Sequence, residues 1–243
     1  FDGPRVALIG DSYSFGSGVE YRETFVARLD SRLPGSRTLN YGIGGFGIDQ
    51  MWMTLRDRVI PYGADLVVLV FIRNDLERSL TSIRLGHGWL DKPTFKLRNA
   101  ELVRVTADDR PVAAIRWVQQ HSRLVERYRR ARNSLGRRFA WVSTWRLNRA
   151  LIEAMNEDCR RAGIPFAVIH LPVNRRHPMP VLEPEMGKLG IPALDMAVGF
   201  PSDEALYYPL DHHFTSLGHR VAAERIFDFL SREELLPDQK RGG

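Results

Sequence analysis

Asp65-Leu-Val-Val-Leu-Val-Phe-Ile72 contains the longest unbroken apolar run of the chain, seven residues from Leu66 to Ile72, followed at once by Arg73-Asn74-Asp75. Seven residues cannot cross a bilayer, which takes about 20. The run is rich in β-branched residues and apolar throughout, so it reads as a strand buried on both faces, at the centre of a parallel sheet. Runs of the same kind lie on either side: Arg5-Val-Ala-Leu-Ile-Gly10 before it and Ile164-Pro-Phe-Ala-Val-Ile-His-Leu171 after it. Thr38-Leu-Asn-Tyr41 and Ile191-Pro-Ala-Leu-Asp195 are shorter versions. Helical spacing separates them, over 21–33 (Phe25, Val26, Leu29, Leu33, stopped by Pro34-Gly35), 49–59, 145–162 (ending at Gly163) and 216–230. Strands alternating with helices imply a parallel sheet covered on both faces. In such sheets ligands bind beyond the carboxyl ends of the strands, and the residues there carry the functional information.

The chain has 243 residues, 44% hydrophobic and 26% charged, which is the profile of one globular domain spanning 1–243 and excludes a disordered or fibrous class. Its +6 charge is almost wholly arginine, 31 of 35 basic residues, spread along the chain with one dense stretch at Arg123–Arg138. No zinc-finger, RRM or KH pattern accompanies it, so no nucleic-acid partner is expected. The Arg123–Arg138 stretch reads as a solvated helix face, with attraction to an anionic polymer or membrane surface as the alternative. The single Cys159 excludes an internal disulfide and a multi-cysteine metal site, and its helical, apolar surroundings make it a structural thiol. Phe1, without Met, reads as the start of a chain whose native N-terminus, a signal or anchor, has been removed, which leaves the compartment open between extracytoplasmic and cytoplasmic.

Residues 76–140 break the regular alternation. A hairpin is expected there, Thr94–Arg98 against Glu101–Val105 around Asn99-Ala100, followed by a basic helix over about 116–135. The apolar residues of this segment are too few for a core of their own, so it is expected to be a cap-like insertion on the rim of the sheet.

The residues after the strands form a constellation. Gly10-Asp11-Ser12 follows the first strand, placing a serine hydroxyl and its own N–H at a strand-to-helix turn that favours negative charge. Asn40-Tyr-Gly-Ile-Gly-Gly45 ends the second strand, where a glycine lets a backbone N–H approach a developing oxyanion. Asn74 ends the third, with a side-chain amide able to donate to the same oxygen. Asp211-His212-His213 brings an imidazole with an acid two residues earlier. A serine hydroxyl is a weak nucleophile until an oriented base takes its proton.

These four segments, in this order, resemble the SGNH (GDSL-type) hydrolase superfamily. The resemblance covers residues 5–75 and 164–232 and is weak between them. It implies an α/β fold: a three-layer α/β/α sandwich around a flavodoxin-like, five-stranded parallel sheet. It further implies that Ser12 is the nucleophile, His213 the general base and Asp211 the acid orienting it, with Ser12 N–H, Gly45 N–H and the Asn74 side chain as oxyanion hole. Two departures stand out. Ile72 occupies the usual glycine position of the third block, so strand three could end differently, and Asp211 and His213 are two apart where three is common.

The implied activity is cleavage of a small-molecule or glycan ester through an acyl-enzyme, with no cofactor and no metal. Acyl transfer to a glycan or natural-product hydroxyl on the same residues is the alternative, and a non-catalytic glycan- or ligand-binding domain is a third reading. His213 is preferred to His212 as base; His212 is then a surface residue or substrate contact. Asp11 and Asp75 are expected to hold backbone N–H groups in their loops, with a substrate contact as the alternative for Asp11. His219 is expected to be structural. His170 reads as a core histidine or a pocket lining, and Trp89, flanked by Gly86 and Gly88, as a substrate contact.

Overall fold

In the computed structural model the described residues are 3–80, 83–84, 90–105, 137–173 and 177–236. β1 (Arg5–Gly10), β2 (Arg37–Gly42) and β3 (Leu66–Phe71) come first. β4 (Ile83–Arg84), β5 (Leu90–Asp91), β6 (Thr94–Arg98) and β7 (Glu101–Val105) follow, and then β8 (Phe166–His170) and β9 (Ala193–Asp195). Five of them form one all-parallel sheet in the order β2-β1-β3-β8-β9. This is the flavodoxin-like doubly wound order, whose direction reverses between β1 and β3 and opens a crevice beyond their carboxyl ends.

Alternation along the strands sends side chains to two cores. Val6, Leu8, Val68, Val70 and Ile169 meet α2 (Phe25–Asp30) and the C-terminal helix, Ser216–Arg232, through Phe25, Leu29, Ile226 and Phe229. Ala7, Ile9, Val67, Leu69 and Val168 face the other way. There they meet α3 (Ile48–Thr54) and the long helix Arg137–Arg161 through Ile48, Met51, Leu151 and Met155. The sandwich therefore has the three expected layers. With α1 (Ser12–Phe15), α4 (Ile60–Tyr62), α5 (Arg73–Arg78) and the short Leu182–Gly187, the helices among the described residues number α1 to α8, Arg137–Arg161 being α6, Leu182–Gly187 α7 and Ser216–Arg232 α8.

Several boundaries differ from the sequence reading. The expected helix over 21–33 is a 3-10 turn, Tyr21–Glu23, and then α2, because Thr24 leaves the helical region to cap Ala27 N–H with its hydroxyl. The helix from 49 widens into a π turn at Leu55–Val59 before α4, where Pro61 has no N–H to continue an i to i−4 ladder. α6 begins at Arg137, eight residues before the expected start.

In the 76–140 segment, β6 and β7 pair antiparallel in the expected register, with Asn99 (φ 51°) and Ala100 (φ 66°) forming a two-residue turn of positive φ. The hairpin is fastened to the helix layer. Lys92 Nζ lies 2.6 Å from the buried Asp49, Thr94 Oγ1 donates to Ser79 C=O at 2.8 Å, and Phe95 lies 4.8 Å from the Trp52 ring. The helix over 116–135, Trp89 and residues 123–136 of the arginine stretch lie outside the described residues. Cys159 is a free, buried thiol pushed up to about 12 by burial. Among the described residues no helix is long and apolar enough to cross a membrane.

Candidate active site

Ser12 opens α1 directly after β1. Asp11 caps that helix, its carboxylate accepting from Tyr13 N–H at 2.9 Å. α1 lies hard against the strand ends: a β-carbon at Gly10 would sit 2.1 Å from Ser14 Oγ and 2.6 Å from Val70 C=O, so this turn admits only glycine. After β2, Phe46 N–H closes a turn on Ile43 C=O at 3.2 Å, with Gly45 at φ 76° in its third position, as a type II turn requires. A β-carbon at Gly44 would stand 3.8 Å from that of Ser12, so this loop faces the serine. Asn40 fixes the approach, donating to Ser14 C=O (2.8 Å) and accepting from Gly42 N–H (2.9 Å).

Residues 211–214 bring the imidazole. His213 Nε2 is 2.8 Å from Ser12 Oγ, and His213 Nδ1 is 3.0 Å from Asp211 Oδ2. The second contact is within ion-pair distance but off the line of a good hydrogen bond, which leaves buried Nδ1 without an aligned acceptor. The two-residue spacing works because His212 adopts φ 61° and Asp211 Oδ1 accepts His213 N–H at 3.2 Å. Burial is the largest single influence and raises the Asp211 carboxyl, but the hydrogen bonds and charge attraction from His213 together outweigh it and hold the group below its usual value. Tyr13 secures the loop. Its hydroxyl donates to His212 C=O at 2.6 Å, and its ring lies 5.0 Å from His213 and edge-on, 5.1 Å, to Phe214. Burial, then the charge of Asp11, pushes this phenol far up, so it stays a neutral donor.

The third block ends on Ile72, which is buried in the α2/α8 core rather than free beside the serine. Asn74 follows it on α5 and is exposed. Asp75 and Asp11 do hold backbone N–H groups, of Ile72 (2.9 Å) and Tyr13. They also share a partner that sequence reasoning missed. Arg78 Nη1 bonds Asp75 Oδ1 and lies 3.0 Å from Asp11 Oδ2 and 3.4 Å from Phe46 C=O, tying together the loops after β1, β2 and β3. Both carboxyl groups are buried. Burial, then the neighbouring Asp11 charge, drives Asp75 well above the usual carboxyl range despite the arginine. An arginine one turn after Asn74-Asp75 was the only sequence signal for this clamp.

His219 is structural, its Nδ1 accepting Phe25 N–H at 3.2 Å; burial, then the Arg28 charge, lowers it to about 4. His170 satisfies both of its sequence readings. It is buried, 2.8 Å through Nδ1 from Asp195 Oδ1, and it lines a cavity with Arg73, Asn74 and His177. A larger groove of about 590 Å³ runs along β2 past Tyr21, Tyr41 and Tyr62, and contains none of Ser12, His213 or Asp211. Among the described residues no cluster of three or more His, Cys, Asp or Glu is arranged to hold a metal ion.

No family sequence model and no curated relative matches the chain. Solved structures do. TesA aligns over 94% of this chain and 98% of its own with a TM-score of 0.59 at 13% identity. A protein assigned to the G-D-S-L lipolytic family from Desulfitobacterium hafniense aligns over 94% and 100% (TM-score 0.56, 14% identity), and the acetyl xylan esterase AlAXEase over 92% and 98% (0.54, 14%). The likeness is one of fold: the parallel sheet between helix layers is shared with these structures over nearly the whole chain.

Proposed function

We propose that the chain is a serine carboxylic-ester hydrolase acting through an acyl-enzyme. The 2.8 Å approach of His213 Nε2 to Ser12 Oγ carries this reading. Ser12 Oγ attacks the ester carbonyl as His213 takes its proton, and the carbonyl electron pair moves onto oxygen. Ser12 N–H, Gly45 N–H and the Asn74 amide receive that oxyanion. As the intermediate collapses, His213 returns the proton to the departing alcohol. It then deprotonates a water, which attacks the acyl-serine and releases the acid. Asp211 stabilises the imidazolium. The hydrolytic outcome agrees with the fold neighbours, which include an acetyl-xylooligosaccharide esterase and an esterase active on acetylated mannans. The hairpin fastened to α3 belongs to the cap-like insertion of a single domain in this reading.

A fluorophosphonate probe should label the wild type and not Ser12→Ala, and Ser12→Ala should lose at least about 10⁴-fold in kcat on an acetate ester. Equal labelling of the two proteins would overturn the assignment. An ester panel with and without sugar acceptors decides between water and a hydroxyl as the acyl acceptor.

A further inference from the structure

A cavity of about 270 Å³ lies at the carboxyl ends of β3 and β8, lined by Arg73, Asn74, Glu77, His170, Val173 and His177. Its floor is built rather than incidental. His170 is 1% exposed, its ring 5.3 Å from Phe71 and its Nδ1 held by Asp195. Asp195 is fixed in turn by the N–H groups of Met179 and Ala197. Burial would raise Asp195, but the hydrogen bond and charge of His170 with these N–H donors hold it below its usual value, so it stays ionised and accepts a hydrogen bond from Nδ1–H. In the neutral ring this leaves Nε2 as the acceptor nitrogen, with no hydrogen-bond partner among the described residues, on a ring that lines the cavity. Arg73 stacks on Trp141, 4.6 Å from the ring centroid. Arg73 and Glu77 are spaced to pair along α5, yet among the described residues neither makes an ion pair.

We propose that this cavity is the subsite for the alcohol part of the ester and that it takes a polyhydroxylated ring, with His170 Nε2 accepting from one hydroxyl. The inference rests on the serine-hydrolase reading and deepens it. An apolar acyl chain placed here would desolvate Arg73 and Glu77 without replacing their hydrogen bonds to water. Hydroxyl groups both donate and accept, so they can satisfy a guanidinium, a carboxylate and an imidazole nitrogen together. The volume is just under the roughly 300–1,000 Å³ of complete ligand pockets, which suits one ring rather than a whole substrate. Asn74 belongs to this cavity and to the proposed oxyanion hole. Neighbouring strands are about 4.8 Å apart, so the ends of β8 and β1, which flank β3, are separated by about 10 Å, the reach of one substrate.

The test keeps the acyl group constant and changes the alcohol. The kcat/KM of a mono-acetylated methyl glucoside is divided by that of ethyl acetate, for wild type, Glu77→Gln and His170→Gln. Each variant should lower this ratio about tenfold, with the loss appearing as a higher KM for the glucoside. Glu77 is exposed, so its variant reports even if His170→Gln fails to fold. Calorimetry on Ser12→Ala should detect the acetylated glucoside and lose it when Glu77→Gln is added. An unchanged ratio with intact probe labelling of Ser12 would overturn the subsite and leave the hydrolase reading standing. Absence of Ser12 labelling in the wild type would overturn both.

Discussion

His213 and Asp211 meet 3.0 Å apart on a loop with side chains 21% and 56% exposed, whereas His170 and Asp195 meet at 2.8 Å on two strand ends at 1% and 3%. The residue types are the same and the physics is opposite. The exposed pair can be solvated, so its imidazole can accept a charge during a reaction and give it up again. The buried pair is fastened by backbone N–H donors to Asp195, so it is held as a fixed part of the strand ends. Pairing with an acid therefore does not identify the base. What distinguishes His213 is that its other nitrogen faces Ser12.

The sharpest way to break this contrast is to delete each acid. Asp195→Ala leaves His170 Nδ1–H and two backbone N–H groups buried without an acceptor and should cost about 3–5 kcal/mol in urea unfolding. Asp211→Ala should cost under about 0.5 kcal/mol, as at an open surface position. Equal losses would show that burial does not set the difference.

His219 adds a third case, a buried histidine with a backbone N–H for a partner in place of an acid. Its folded value, about 4, lies below the ordinary 6.5, so the unfolded chain binds the proton more readily. Its contribution to stability is present above pH 6.5, declines as pH falls towards 4 and is gone below that, a span of about 3 kcal/mol. Chemical denaturation across pH 7 to 4 should show this slope in the wild type and a flatter one in His219→Gln.

Two smaller effects sharpen the exposed side. Asp211→Asn should lower kcat about 10²-fold, at the weak end for such a residue, because the carboxylate is half in water and imperfectly aligned with Nδ1. Tyr13→Phe removes the anchor on His212 C=O, worth about 1 kcal/mol, and should lower kcat about fivefold with KM nearly unchanged. Steady-state rates on one acetate ester measure both.

The two pairs also show where sequence reading succeeds. The buried strands were legible because a run such as Leu66–Phe71 is apolar at every position, and their carboxyl ends led directly to Ser12, Asn74 and the histidines. Asp211 and His213 were legible as a pair because only His212 separates them in the chain. His170 and Asp195 are 25 residues apart and meet only because β8 and β9 pair in register, His170 opposite Asp195. Arg78 is 67 residues from Asp11, and its one local mark, a place one turn after Asn74-Asp75, does not reveal that it ties three loops together. The early start of α6 and the π turn at Leu55–Val59 arise from packing and from one missing N–H, which periodicity does not weigh.

The contact between Ser12 and His213 joins positions 201 residues apart. During synthesis β1, β2 and β3 emerge together and can assemble early, placing the serine at its turn long before any imidazole reaches it. Local pairs form before distant ones because closing a long loop costs chain entropy first. The nascent protein thus displays a serine with no base until the segment carrying Tyr207, His213 and Phe214 docks beside Tyr13. Onset of probe reactivity at Ser12 would therefore time the docking of that segment.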